Sequence, residues 1–108
     1  IVDYVGEMKD GLPHGYGTAI FSSGKRYEGN WVKGEKSGEG IYYYQNKEWY
    51  EGSFYHNVRE GEGTYYFSNG DRYIGSWKND KRDGQGYILK KNGSVTKKGR
   101  WKEDKPLK

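Results

Sequence analysis

Tyr27-Glu28-Gly29-Asn30-Trp31, followed by Gly34, Gly38-Glu39-Gly40 and Tyr42-Tyr43-Tyr44, is the stretch that decides the fold. Tyr27, Gly29 and Trp31 fall on one side of an extended chain, and Glu28, Asn30 and Val32 on the other. After a turn over Lys33–Ser37, a second strand puts Gly40, Tyr42 and Tyr44 on one side and Ile41 and Tyr43 on the other. The unit is a β-hairpin, and it recurs. Tyr4, Tyr27, Tyr50 and Tyr73 stand 23 residues apart, each followed two residues later by Gly6, Gly29, Gly52 or Gly75. Met8, Trp31, Phe54 and Trp77 come two residues after those glycines. Seventeen of the 18 glycines occupy five repeat positions, and the last, Gly99, opens a partial fifth copy shifted by one residue. A fixed period of this length is the mark of a repeat array.

The copies run over about 4–26, 27–49, 50–72 and 73–95, with the partial fifth at 96–108, and together form one domain. Ser23-Gly24-Lys25, Asn69-Gly70-Asp71 and Asn92-Gly93-Ser94 connect successive copies. Asn-Gly tolerates positive φ and is a strong hairpin signal. Asn46-Lys47 replaces it in the second copy, so a different turn is expected there. Glycine in strand interiors normally weakens them. Here the missing Cβ leaves room for a ring from the next strand to lie flat. About nine strands spaced roughly 4.8 Å apart would make a ribbon on the order of 40 Å long.

Composition agrees with a thin aromatic core. The 108 residues are 31% hydrophobic, with a mean hydropathy of −1.24, yet include 12 Tyr, 4 Trp and 3 Phe. Each such ring offers roughly 150–250 Å² to bury. The absence of cysteine excludes disulfides and thiolate metal sites, and a reducing, cytoplasmic setting is expected. No apolar run approaches the roughly 18–20 residues of a helical membrane span. The chain opens on Ile1, so it is expected to be a piece of a longer protein. Charge is uneven: residues 1–77 carry −3 and residues 78–108 carry +7.

Little points to catalysis. Gly15/Gly17, Gly38/Gly40, Gly61/Gly63 and Gly84/Gly86 lack the third glycine, following helix and lysine of a phosphate loop. His14 and His56 are expected in hairpin loops, with no cysteine or positioned carboxylates to make a metal site or a catalytic base. The sequence offers no nucleophile–base pair, and neither a cofactor nor a small-molecule substrate is expected.

Tyr27–Trp31, Gly34 and Gly38–Gly40, with their echoes at 50–63 and 73–86, resemble MORN (membrane occupation and recognition nexus) repeats from Tyr4 to about Trp101. Met8 and Phe54 in place of Trp, and Asn57 and Asp80 in place of Gly, depart from the motif. The resemblance implies an all-β, elongated, single-layer antiparallel sheet, often curved, acting as a scaffold or adaptor. Members occur in cytoskeletal, ciliary, cell-division and membrane-junction assemblies. Some take a partner's helix along a groove, and some dimerise. Others precede the catalytic domains of lipid kinases or of a SET-domain methyltransferase, which Gly11–Gly15 resembles, so a regulatory role in a larger enzyme is a further expectation. Ser37–Trp77 is similar to small MORN-only proteins of cilia and sperm.

A single layer leaves two faces for partners. The expected protein-binding stripe is Tyr42, Tyr44, Phe54, Tyr65, Phe67 and Trp77, receiving a helical segment or a second copy. Tyr43 and Tyr66 should stand on the other face. The sheet's edge strands also invite end-to-end pairing. The basic end, with Lys90, Lys91, Lys97, Lys98, Arg100 and Lys102, is the candidate for anionic phospholipid at a membrane surface. Nucleic acid fits poorly, because the aromatic middle is not the basic end.

Overall fold

The computed structural model describes residues 1–107, so Lys108, the last residue of the fifth copy and of the basic end, lies outside the described residues. Ten strands follow one another: β1 (Asp3–Lys9), β2 (Leu12–Ile20), β3 (Arg26–Val32), β4 (Glu35–Tyr43), β5 (Trp49–Tyr55), β6 (Val58–Tyr66), β7 (Arg72–Lys78), β8 (Lys81–Leu89), β9 (Val95–Lys102) and β10 (Lys105–Pro106). They form one sheet in chain order, each strand antiparallel to the next. The ribbon measures 47 × 24 × 18 Å, close to the length expected from strand spacing. Among the described residues there is no helix.

One register feature organises the sheet. Gly6, Gly17, Gly29, Gly40, Gly52, Gly63, Gly75, Gly86 and Gly99 stand opposite one another from strand to strand, making a glycine row along the ribbon. A tyrosine ring covers every second strand of it. A Cβ on Gly40 would meet the Tyr27 ring at 2.5 Å, and one on Gly63 or Gly86 would meet Tyr50 or Tyr73 at the same distance. Tyr27, Tyr50 and Tyr73 have no exposed surface. Their hydroxyls donate to the carbonyls of Asn30, Ser53 and Ser76 at 2.8, 2.9 and 2.9 Å, so each buried phenol keeps a partner.

The second aromatic of each copy binds the copies together. Trp31 Nε1 donates to the Gly17 carbonyl at 3.0 Å, Trp77 to Gly63 at 3.1 Å and Trp101 to Gly86 at 3.2 Å. Each indole also stands edge-on to a tyrosine of the preceding copy, as Trp101 does to Tyr73 at 5.1 Å. Phe54 keeps the edge contact, 5.1 Å from Tyr27, but has no N–H to donate. Met8 on β1 is 57% exposed, since no preceding strand lies beside it. The one-residue shift of the fifth copy is absorbed between Gly86/Gly99 and Ile88/Thr96, where Lys97 takes φ 53°. That is a β-bulge, which seats Trp101 in register.

The turns correct three expectations. The turn of the second copy is only Lys33–Gly34, and Glu35–Ser37 already belong to β4. It is one of five two-residue turns, with Asp10-Gly11, His56-Asn57, Asn79-Asp80 and Glu103-Asp104, in which both residues have φ between 47° and 84°. Mirror-image turns of this kind match the twist of paired strands. The Asn-Gly signals mark wider loops instead. Phe67 N donates to Asp71 O and Gly70 N to Phe67 O, both near 3 Å, with Gly70 at φ 94° closing the loop. Asn46 and Lys47 depart from that pattern, as expected, both left-handed at 63° and 61°. His14 lies within β2 rather than in a loop, while His56 does sit in a turn.

The ring-on-glycine contact makes a direct stability test. Gly63 has ordinary φ, so Gly63→Ala tests space alone and is expected to cost about 1–3 kcal/mol in urea unfolding. Combining it with Tyr50→Ala should cost less than the sum, because the ring that the Cβ meets is gone. Additive losses would show that the ring is not what excludes the Cβ.

Candidate functional site

All the buried rings lie on the glycine side of the strands, which we term the aromatic face. On it the sheet brings together the six expected binding residues, but at two depths. Phe54 and Trp77, 4% and 5% exposed, are the floor. Tyr42, Tyr44, Tyr65 and Phe67 are half-buried and pack over that floor. Phe21, overlooked in the sequence, extends the stripe: it stacks on Tyr42 at 5.8 Å with planes 2° apart. Tyr42 stacks on Tyr44 at 4.6 Å, Tyr44 meets Tyr65 at 5.6 Å, and Tyr65 meets Phe67 at 5.0 Å. The stripe crosses the ribbon's middle because two of its rings stand opposite buried tyrosines, Tyr42 opposite Tyr27 and Tyr50, and Tyr65 opposite Tyr50 and Tyr73.

Cations flank the stripe at the same 23-residue spacing. The Lys36 ammonium lies 5.0 Å from the Tyr42 ring centre, Arg59 lies 4.6 Å from Trp77, and Arg82 lies 4.8 Å from Trp101. Such cation–ring contacts gain strength where water is excluded. Between Glu48, Arg59, Tyr65, Phe67, Trp77 and Arg82 the surface dips into an open depression. Burial pushes the Tyr44 hydroxyl up to about 12 and raises Tyr42 as well. Tyr65 is raised by burial and by the Glu48 carboxylate, which accepts its hydroxyl proton at 2.8 Å. The phenols of the stripe therefore stay neutral at physiological pH. Burial lowers the Lys36 ammonium from the ordinary lysine range.

Each arginine is held by the turn of the following copy. Asp80 Oδ1 accepts from the Arg59 backbone N–H at 2.8 Å and from Arg59 Nε at 3.1 Å, while Asp80 N donates to Arg59 O at 3.0 Å. Asp104 repeats the arrangement on Arg82, and Asn57 caps the Lys36 backbone N–H at 2.9 Å. Asn57 and Asp80 thus keep the left-handed turn of the glycines they replace and add a clasp between copies. Pro13 and Gly34 form a matched pair, one without an N–H to cap and the other without a side chain; Gly34 N still donates to Pro13 O. At the opposite end, Glu48 accepts from Ser68 N and Asp71 from Lys91 N.

The opposite face differs in kind. Tyr43 and Tyr66 stand there, as expected, in a row the sequence did not reveal: Arg26 lies 4.3 Å from Tyr43, Trp49 stacks on Tyr66 at 4.4 Å, and Arg72 lies 5.4 Å from Tyr66. A carboxylate row runs beside the glycines, with Ser53 donating to Glu39 and Ser76 to Glu62. Of the basic end, β9 carries Lys98, Arg100 and Lys102, with Arg100 and Lys102 on this opposite face, and Lys97 occupies the bulge. Lys90 and Lys91 lie apart in the β8–β9 loop, where Lys90 pairs with Asp71 at 3.6 Å.

The glycine pairs lie within strands, so their part is packing rather than phosphate cradling. His14 Nδ1 accepts from Lys33 N at 3.3 Å, where Glu60 and Asp83 accept from the corresponding turns. His56 faces Glu35 at 3.0 Å in an exposed pair.

The MORN repeat family model matches four consecutive segments of the chain, residues 4–26, 27–48, 50–72 and 73–95. The chain itself matches no curated protein.

The clasps yield two expected outcomes. Asp80→Ala should lower stability by about 1–2 kcal/mol, from the lost cap and the left-handed backbone, whereas Asp80→Asn should cost well under half of that. Equal losses in chemical denaturation would mean that the Arg59 ion pair, not the backbone cap, holds the turn. The Lys91 N–H that Asp71 accepts, with the Lys90 charge adding to it, holds the Asp71 carboxyl below the usual range. A depressed folded-state value stabilises above the ordinary carboxylate range, and that contribution is lost as pH falls through the depressed value. The exchange protection of the Lys91 amide should therefore hold down to about pH 4 and drop as pH falls below it, and protection that stays constant there would exclude the clasp.

Proposed function

The chain belongs to the MORN-repeat family, and we propose that it is a non-catalytic scaffold or adaptor whose aromatic face receives a protein segment. The observation that carries this reading is the half-buried row Phe21, Tyr42, Tyr44, Tyr65 and Phe67 above a closed floor. Tyr27, Tyr50 and Tyr73 with Trp31, Phe54, Trp77 and Trp101 already complete the core. The overlying rings are large, rigid and only partly covered, the character of binding anchors. A helix about 10 Å across with apolar residues at i, i+3, i+4 and i+7 suits such a stripe. A second copy of the chain is the alternative occupant, and it would present a strand or sheet face rather than a helix. A setting in the cytoplasm, on cytoskeletal or ciliary structures, accords with this role.

A second reading has one observation of its own. β9 gathers Lys98, Arg100 and Lys102 on one short strand, and among the described residues no carboxylate lies within salt-bridge distance of them. Three cations near an anionic leaflet contribute about 1 kcal/mol each, which supports weak membrane-surface attachment.

Pull-downs at physiological salt separate these readings. A protein retained by the wild-type chain and by Tyr43→Ser, but lost by a folded Tyr42→Ala/Phe67→Ala variant, is the expected result. Equal retention by all three would remove the aromatic face from the reading. For the second reading, sedimentation with phosphatidylserine vesicles should fall with added salt and with Lys98→Gln/Arg100→Gln/Lys102→Gln. Binding unchanged by both would eliminate it.

A further inference from the structure

The aromatic groove is electrically lopsided. Toward the C-terminal copies each guanidinium has its own carboxylate: Arg59 faces Asp80 at 3.1 Å and Arg82 faces Asp104 at 3.2 Å. The same repeat position in the second copy is Lys36, and the turn that clasps it supplies Asn57, which carries no charge. The Lys36 ammonium lies over Tyr42, Phe21 and Tyr27, at 5.0, 5.7 and 5.9 Å from their ring centres. Among the described residues no carboxylate comes within 4.0 Å of it. Asp80 acts on it from a distance while paired with Arg59.

A second cation reinforces the first. Lys25 holds the repeat position that is Glu48 and Asp71 in later copies, where those carboxylates cap the next loop. The Lys25 ammonium lies 6.0 Å from the Tyr44 ring centre, also without a carboxylate partner. One end of the stripe therefore carries two uncompensated ammonium groups above aromatic rings, while the other is neutralised in pairs. A partly buried cation without a counter-charge is costly, and a partner's carboxylate would relieve that cost. Complementary charge of this sort sets the orientation of a bound segment.

Resting on the aromatic face as the docking surface, we propose that the groove reads direction. The segment it receives carries an Asp, Glu or terminal carboxylate that pairs with Lys36 and Lys25, and its apolar side chains run from there over Tyr44 and Tyr65 toward Phe67. Lysine 25 and 36 are then the specificity-determining residues, and the rings supply most of the contact area.

The test is to pan a phage-displayed library of random 16-residue peptides against the 108-residue chain. Enriched peptides are then titrated against wild type, Lys25→Gln/Lys36→Met and Tyr42→Ala/Phe67→Ala, each first shown to unfold cooperatively. Methionine keeps the apolar stem of Lys36 over its rings while removing the charge. The expected result is enrichment of apolar peptides with an acidic residue toward one end. The lysine variant should bind them about tenfold more weakly, the scale of one charge-assisted hydrogen bond, and the aromatic variant should lose them. Apolar peptides without acidic bias, lost by the aromatic variant but bound equally by the lysine variant, would overturn the directional reading and leave the groove standing. Peptides indifferent to Tyr42 and Phe67 would overturn the groove and this proposal together.

Discussion

The contact on which everything else depends is a tyrosine ring laid over a glycine of the neighbouring strand. A single-layer sheet has no second layer to bury its side chains, so it must build a core within one layer's thickness. Removing the Cβ from a row of facing residues opens a trough, and the rings of Tyr4, Tyr27, Tyr50 and Tyr73 lie in it, the last three without exposed surface. Each hydroxyl then reaches the carbonyl three residues on, which ties the ring to its own strand. The low aliphatic content and the abundant glycine of this sequence are two consequences of that solution.

From this contact follows the dependence of each copy on its neighbours. A tyrosine of one copy is closed off by the tryptophan or phenylalanine of the next, whose indole also takes a glycine carbonyl. Side chains at the turns add clasps between copies, with Asn57, Asp80 and Asp104 at one end and Glu48 and Asp71 at the other. Stability in such an array is close to a sum of nearest-neighbour terms. The first and last copies therefore differ in character. Met8 lies open on β1, while the bulge at Lys97 lets Trp101 complete the packing on Tyr73.

The rings that remain make the groove. Once the trough is filled, Phe21, Tyr42, Tyr44, Tyr65 and Phe67 have no deeper place and stack along the top. The cations beside them are positioned by the clasps between copies. Asn57, at the repeat position held by Asp80 in the later copy, thus changes the charge beside the groove while keeping the turn. Packing and recognition are coupled at these positions.

Periodicity alone determined the hairpin unit, its number of copies, the faces of Tyr42, Tyr43, Tyr65 and Tyr66, and the role of glycine beneath the rings. These are local facts, governed by alternation along a strand and by the size of a side chain. The turns were less legible, because Asn-Gly signals positive φ without saying which of two loops needs the tighter mirror-image form. Asn57 and Asp80 read as departures from a glycine motif, and their partners, Lys36 and Arg59, lie 21 residues away. Phe54 and Trp77 hold the repeat position of Trp31, which favours packing for Trp77, yet both were also expected in the binding stripe with Tyr42 and Tyr65. Only the assembled sheet placed the first pair below and the second above, since depth depends on what neighbouring strands bring across the ladder. The pairing of Arg59 and Arg82, and the lack of it at Lys36, is likewise a property of adjoining copies in space, which one strand read alone does not contain.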